Sequence, residues 1–373
     1  MFLRGRGLGW LCRGFAGVAC FLSAGAGAIA AAERPTATGI VIGTWQQAMG
    51  SELGGSRLDS EANAAVDVAI GLPVGGGAFE LEFKGSTTPP SNGVSSVLSA
   101  ANASVGESVG SDERGRVVPW QAFYRHPVGN GSLAVGLMDV TGWLDGNEVA
   151  SDEFTQFLGA SFVHNPTIDL PSASFGAAYS AGLGRGLGLA AVLVNATGVE
   201  PRYRAAFQPV RHGNGVFGAL EVQWSGSRLA VNLGAWINSR HHDGDGDGVD
   251  DDRLGKGRAR GLYGNLSGTA GGGQWNLRIG WADPRVQAPA RFVSVAYSHP
   301  FGKAVVGTAV GRTFASGRLA TPHADLTQAE AYVRFPVYRN VTLTADLQHI
   351  AHSEFDPAQN GDWVMGARMG WSF

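Results

Sequence analysis

The sequence predicts an all-β protein, a transmembrane antiparallel β-barrel of about 16 strands with short periplasmic turns and long extracellular loops. Three observations lead there: two unlike faces on the last stretch of chain, the parity of the links between alternating segments, and the composition. In residues 362–373, Trp363, Met365, Ala367, Met369, Trp371 and Phe373 share one parity. Asp362, Val364, Gly366, Arg368, Gly370 and Ser372 share the other, which is the period of a strand. The oily face has aromatic rings at both ends and flexible or small groups between them. At ~3.3 Å per residue and a tilt of ~40°, Trp363 and Trp371 lie roughly 20 Å apart in height, close to the spacing of the two interfacial girdles of a membrane barrel.

Composition sets the limits. The chain has 57 glycines in 373 residues, and its mean hydropathy is near zero. After the first 32 residues no run reaches the ~18 apolar residues a membrane helix needs. Membrane placement therefore requires a closed sheet, which satisfies every backbone group without helices. Residues 1–32 read as a signal peptide: Arg4, Arg6 and Arg13 precede an apolar run over 14–30, and Ala28-Ile29-Ala30 or Ala30-Ala31-Ala32 offers a cleavage site. A lipoprotein signal centred on Cys20 is the alternative, weakened by Gly17 where a branched apolar residue is expected. Residues 33–373 then form a single barrel domain. Both cysteines, Cys12 and Cys20, fall in the leader, so the exported chain has no thiol for a disulfide, an iron-sulfur site or a nucleophile. Its removal takes away three arginines and no acid, moving the formal charge from −3 to −6 and arguing against a nucleic-acid partner.

Alternating runs bounded by Gly, Asn, Asp, Ser and Pro predict strands at 38–48, 61–72, 78–85, 116–127, 132–140, 172–182, 186–196 and 216–224. The second half contributes 228–238, 257–268, 274–282, 290–299, 303–314, 326–336, 340–351 and 362–373, with a possible extra short strand at 202–208. Every second link is short, as in VGGG after Pro73 or the turn at Gly302. The alternate links are mostly long: 49–60, 86–115, 141–171, 197–215 and 239–256. Turns on one rim and loops on the other are the layout of an outer-membrane barrel. A soluble propeller or sandwich gives no reason for such sorting.

Alternation assigns both faces at once. Phe79, Leu81 and Phe83 alternate with Glu80, Glu82 and Lys84; Val341, Leu343, Ala345 and Leu347 alternate with Thr342, Thr344, Asp346 and Gln348. The inward charges are Glu80, Glu82, Glu221, Glu330 and Asp346 against Lys84, Arg125, Arg278, Arg334 and Arg368. Acids and bases balance. A lining of mixed carboxylates, guanidinium forks and amides offers hydrogen bonds with little net field, which suits a neutral polyhydroxylated solute. The same charges could instead pair within the wall and hold its shape.

Residues 241–252, HHDGDGDGVDDD, place Asp243, Asp245, Asp247, Gly248 and Asp251 at positions of a calcium loop, but Leu254 stands where the bidentate Glu belongs. The expectation is a weak Ca2+ site in an outer loop, with a solvated acidic loop as the alternative and no cofactor required. His126, His299 and His349 lie near strand ends without a Gly-x-Ser-x-Gly elbow, so no hydrolase constellation is expected.

Residues 155–171, TQFLGASFVHNPTIDLP, resemble a motif of the carbohydrate-selective porin family typified by OprB. The closing LTADLQHIAHSEFDPAQNGDWVMGARMGWSF (343–373) and VGLMDVTGWLDGNEVASDEF (135–154) are similar to that family's last hairpin and to the strand and inward loop before the motif. The terminal Phe373 is also like the last residue of bacterial outer-membrane barrels. The resemblance implies sixteen strands, a constriction made by inward-folded loops, and passive diffusion of mono- or small oligosaccharides across the bacterial outer membrane. It implies that residues 141–171 form a constriction element, with Asp145, Glu148, Asp152, Glu153 and Gln156 facing the passage. Trp120 and Trp143 would offer a flat surface to a sugar ring. The loop 86–115 has no clear family counterpart, and the chain is short for the family. Alternative readings are a general, weakly ion-selective porin and a surface barrel that binds a partner through acidic loops. The partners expected are sugar solutes and outer-membrane lipid, with a homotrimer or a monomer both open.

Overall fold

The computed structural model describes residues 34–49, 52–53, 56–105, 115–199, 203–207, 215–240, 258–319, 323–351 and 361–373. The signal peptide expected at 1–32 lies outside them. The strands are β1 (Thr36–Met49), β2 (Glu52–Leu53), β3 (Ser56–Arg57), β4 (Glu61–Val74), β5 (Gly77–Ser86), β6 (Arg116–Val128), β7 (Gly131–Met138), β8 (Ser174–Gly184) and β9 (Leu187–Asn195). They continue as β10 (Val216–Ser225), β11 (Leu229–Asn238), β12 (Ala259–Ala270), β13 (Gly273–Ala282), β14 (Pro289–Phe301), β15 (Ala304–Ala315), β16 (Leu326–Tyr338), β17 (Val341–Ala351) and β18 (Asp362–Ser372). Apart from the small β2–β3 hairpin, all of them form one closed antiparallel barrel. Each strand lies beside its neighbour in the chain, and β1 closes the ring by pairing with both β4 and β18. Closure follows from the sequence: short turns fold successive alternating runs into hairpins, and joining the first to the last leaves no edge with unpaired N–H and C=O groups in lipid.

All sixteen predicted barrel strands are present, with ends shifted by a few residues. The extra strand considered at 202–208 is absent among its described residues, 203–207, where a helical turn (Tyr203–Ala206) stands instead. The physical reason is that β9 and β10 pair with each other along their length, from Val216 opposite Asn195 to Trp224 opposite Leu187, so the wall has no free edge for a further strand. The strand expected at 132–140 stops at Met138, because Asp139 accepts hydrogen bonds from the N–H and hydroxyl of Thr141 at 3.0 and 2.7 Å and turns the chain inward.

Two of the tight turns are built alike. Gly75 and Gly76 (φ 56° and 81°), and Gly271 and Gly272 (φ 58° and 81°), take the left-handed conformation that two-residue hairpins require. Over each turn a tyrosine of the next strand closes the hairpin: Tyr124 donates to the Val74 carbonyl at 2.9 Å and Tyr297 to that of Ala270 at 3.1 Å.

The outward face is the one that the alternation assigned. On β18, Trp363, Met369 and Trp371 are 48, 59 and 51 % exposed, whereas Val364 and Arg368 of the other parity are buried. Val295, halfway along β14, is likewise exposed and flanked across the ladder by Leu277 and Val310. Val295→Arg is therefore expected to destabilise the folded barrel by about 2–4 kcal/mol, the cost of a cation near the bilayer midplane. Reversible unfolding in lipid would measure this, and a neutral result would contradict the lipid-facing assignment.

The core lies inside the barrel, because two loop segments fold into the lumen. Residues 139–173 run along the inner wall, burying Val140, Leu144 and Ile168 against Val192, Val194, Phe217 and Trp236, and Phe157 and Phe162 against Tyr332. The second segment lies in the loop 86–115, a stretch rich in Ser, Ala, Gly and Val. It forms α1 (Val94–Val97) and a further turn at Ser99–Ala101, and buries Val94, Leu98 and Ala101 against Ala48, Ile350 and Val364. A hydrogen bond from Ala103 N–H to the Leu158 carbonyl (2.7 Å) joins the two.

Candidate functional site

The inward segment 139–173 is held by the charges of the wall. Arg278, fully buried on β13, donates to the carbonyls of Phe162 (3.0 Å), Asp145 (3.1 Å) and Ala150 (2.9 Å) and to the Ser151 hydroxyl (3.1 Å). Its Nε lies 3.2 Å from the Asp145 carboxylate. Arg368 donates to the carbonyls of Glu153 (2.5 Å) and Gln156 (2.7 Å), and Arg334 to that of Thr155. The wall acids take the opposite groups: Glu330 accepts from the N–H of Leu158 (2.7 Å) and Gly159 (2.8 Å), and Glu221 from that of Asp145 (2.8 Å) and from the Tyr263 hydroxyl (2.8 Å). A loop with only short helical turns in a barrel must have most of its backbone groups satisfied by side chains, and guanidinium donors on carbonyls with carboxyl acceptors on amides do this.

This arrangement corrects several expectations. Arg278, Arg368, Glu330 and Asp346 point inward as parity required, but they are buried beneath the loop and do not border the open passage. Asp346 accepts from Gln348 at 3.0 Å inside this layer. Arg334, half-buried, is engaged by Thr155. Asp145 is also buried, anchored by Asn265 (2.6 Å) and the Asn165 N–H (3.0 Å). Burial pushes its carboxyl above the usual range, against the opposing pull of Arg278, Asn265 and Asn165. Asp152 accepts from the N–H and hydroxyl of Thr155 and from Phe154 N–H, and Gln156 joins Ser151 N–H to the Glu148 carbonyl. Both are spent inside the loop, and Glu153 is buried.

Trp120 is not a platform for a sugar. It is 5 % exposed, packed with Val118, Leu137, Ala173, Val199 and Ala206, and its indole N–H donates to Asp139 at 2.8 Å. A bulge puts it there: Glu82 pairs with Gln121 and Phe83 with Pro119, leaving Trp120 as the extra residue. Because of that bulge Trp120, Gln121, Phe123 and Arg125 can all point inward although their parities differ. Burial works to raise the Asp139 carboxyl, but Lys84, the Trp120 indole and Thr141 outweigh it and hold the group below its ordinary range.

Among the described residues an open chamber of about 250 Å3 lies between residues 141–148 and the opposite wall, toward the short-turn rim. Glu80, Glu82, Arg125, Trp143 and Glu148 border it, joined by Asp67, Gln121, Gln223 and Asn232. Trp143 packs edge-on against Phe123 (ring centroids 5.3 Å apart), and the Arg125 guanidinium lies 5.9 Å from the Trp143 ring and 5.5 Å from that of Phe123. Lys84 stands beside it, 3.4 Å from Glu82 and 3.9 Å from Asp67. Sequence reasoning missed Asp67, Gln121 and Asn232. Asn232 holds the loop tip through the Gly146 carbonyl at 3.0 Å and Gln121 receives the N–H of Asp139 at 2.9 Å. Their inward parity was legible, but their partners on the loop were not.

Asp243, Asp245, Asp247 and Asp251 lie outside the described residues, and among the described residues no cluster of three or more His, Cys, Asp or Glu side chains could hold a metal ion.

Comparison with solved structures gives the same architecture. The high-pH structure of Pseudomonas putida OprB superposes with a TM-score of 0.70 at 14 % identity, covering 91 % of this chain and 94 % of that one. A mutant of the Rh. blastica porin matches with a TM-score of 0.54 at 12 % identity, over 91 % of this chain and all of the other. At these identities the likeness is one of fold. No curated protein matches. The sequence model of the carbohydrate-selective porins, OprB family, matches residues 80–373. The chain therefore belongs to the carbohydrate-selective porin, OprB family, and is an outer-membrane barrel through which sugars diffuse.

Proposed function

We propose that single sugars or small oligosaccharides pass by diffusion along the chamber beside residues 141–148, with Trp143 and Arg125 on one side and Glu80, Glu82, Gln121 and Asn232 around them, and that no covalent step occurs. The observation that carries this is a half-buried aromatic ring set beside a guanidinium, carboxylates and amides: a flat apolar surface for a pyranose face ringed by donors and acceptors for its hydroxyls. At about 250 Å3 the space is below the ~300–1000 Å3 of pockets that enclose drug-sized ligands, which favours small solutes.

A second reading has its own support. The bases of the wall are mostly used on the loop, so the chamber keeps Asp67, Glu80, Glu82 and Glu148 against Arg125, with Lys84 adjoining. The balance expected from all inward charges becomes a small acidic excess where solutes pass, which gives a modest preference for cations.

Swelling of vesicles containing the purified barrel separates the readings. Faster uptake of glucose than of a charged solute of equal size supports sugar selectivity; equal uptake supports the general porin, and no uptake would leave only a surface barrel. Arg125→Ala combined with Glu82→Ala is expected to change sugar flux clearly while altering stability by no more than about 1 kcal/mol, since both side chains border the open chamber. A collapse of heat-modified gel mobility with flux per folded channel unchanged would show that these groups serve the wall instead.

A further inference from the structure

The two rims differ in how their charges are matched. At the long-loop rim acids stand among the bases, and several pair: Arg240 with Asp169 (3.2 Å), Arg285 with Asp283 (2.5 Å) and Arg312 with Asp325 (2.8 Å). The seven short turns carry Arg185, Arg228, Lys303 and Arg339, and no acidic side chain lies in a turn or within two residues of one. All four cations are exposed, and none has an ion pair among the described residues. They occupy the turns after β8, β10, β14 and β16, an arc over the later part of the barrel. Next to them stand outward apolar side chains: Leu183 and Leu187 flank Arg185, Trp224 precedes Arg228, Phe301 precedes Lys303, and Tyr338 precedes Arg339, with Phe301 72 % and Tyr338 68 % exposed.

A cation just beyond an exposed apolar or aromatic residue, repeated at four turns, fits the boundary between acyl chains and headgroups. Unmatched positive charge at that level has its counter-charge outside the protein. We propose that the short-turn rim from β8 to β17 is a binding surface for anionic phospholipid, with Arg185, Arg228, Lys303 and Arg339 engaging headgroup phosphates of the leaflet this rim faces. The proposal rests on the outer-membrane placement of the barrel and adds a lipid class to it. Such contacts are ionic and close to water, so salt weakens them within a Debye length.

The test uses the folded barrel in phosphatidylcholine vesicles containing a minor fraction of brominated phosphatidylglycerol or brominated phosphatidylcholine, which quench tryptophan fluorescence on contact. The anionic lipid is expected to quench roughly two- to threefold more than the neutral one at low salt, and equally at high salt. The variant carrying Arg185→Gln, Arg228→Gln, Lys303→Gln and Arg339→Gln should lose the excess at low salt. A control with Arg204→Gln, Arg258→Gln, Arg291→Gln and Arg318→Gln, four exposed cations of the other rim, should keep it. Equal quenching by both lipids in the unaltered protein, an excess that salt leaves in place, or a loss that appears equally in the control would each overturn the proposal. Quenching by neither lipid would overturn the membrane placement itself, which keeps the two failures distinct.

Discussion

Arg278→Met is expected to release the inward loop and widen the channel. The methionine keeps most of the volume but none of the donors, so the carbonyls of Phe162, Asp145 and Ala150 lose their partner and the buried Asp145 carboxylate loses its counter-charge. Removing one member of a buried pair costs about 3–5 kcal/mol, and this residue serves both as an ion-pair partner and as a hydrogen-bond donor. The wall itself should survive, because the β12–β13 and β13–β14 ladders are made by the backbone. The result expected is a lower transition in heat-modified mobility together with a higher single-channel conductance and weaker discrimination among sugars. An unchanged conductance would mean that residues 145–165 stay in place without the guanidinium, and the account of the constriction would fail.

Glu330→Ala is expected to act within the same stretch, between the Ala150 and Phe162 contacts of Arg278, through the opposite kind of group. It leaves the N–H of Leu158 and Gly159 buried without acceptors, each costing about 1–3 kcal/mol. Glu330→Gln keeps one carbonyl acceptor and should recover part of the loss. Chemical unfolding in detergent measures the stabilities, and conductance reports whether the loop has moved. Equal stability of the Ala and Gln variants would show that the two N–H bonds contribute little. Because Arg278 and Glu330 hold interleaved parts of one loop, their effects should be less than additive: once one anchor is lost and the loop moves, losing the other removes less.

The wall charges show how far the sequence could be read. Parity placed Arg278, Glu330 and Arg368 inside, and each is inside. Whether each would meet solute or backbone depended on a loop more than a hundred residues away, as in the bonds from Arg278 to Phe162 and from Arg368 to Glu153. Nothing in an alternating pattern encodes such a distant partner. Trp120 is a related case. A single extra residue in β6 lets neighbours of both parities face the lumen, and the bulge is visible only in the pairing with β5. The low-complexity stretch after β5 gave no periodic signal because its small residues pack by close approach. Gln46, Gln328 and Gln348 reach over to its Ala100 and Ala101 carbonyls at 2.8–3.0 Å.

The amino-acid sequence alone determined the barrel, its strand number and which face of each strand meets lipid. Those depend on local period, turn residues and link length, and the outer face has only one possible environment. The tertiary structure alone decided which inward groups remain free. The lumen can be filled by water, solute or the chain itself, and here two loops compete with water for the wall's charges and take most of them.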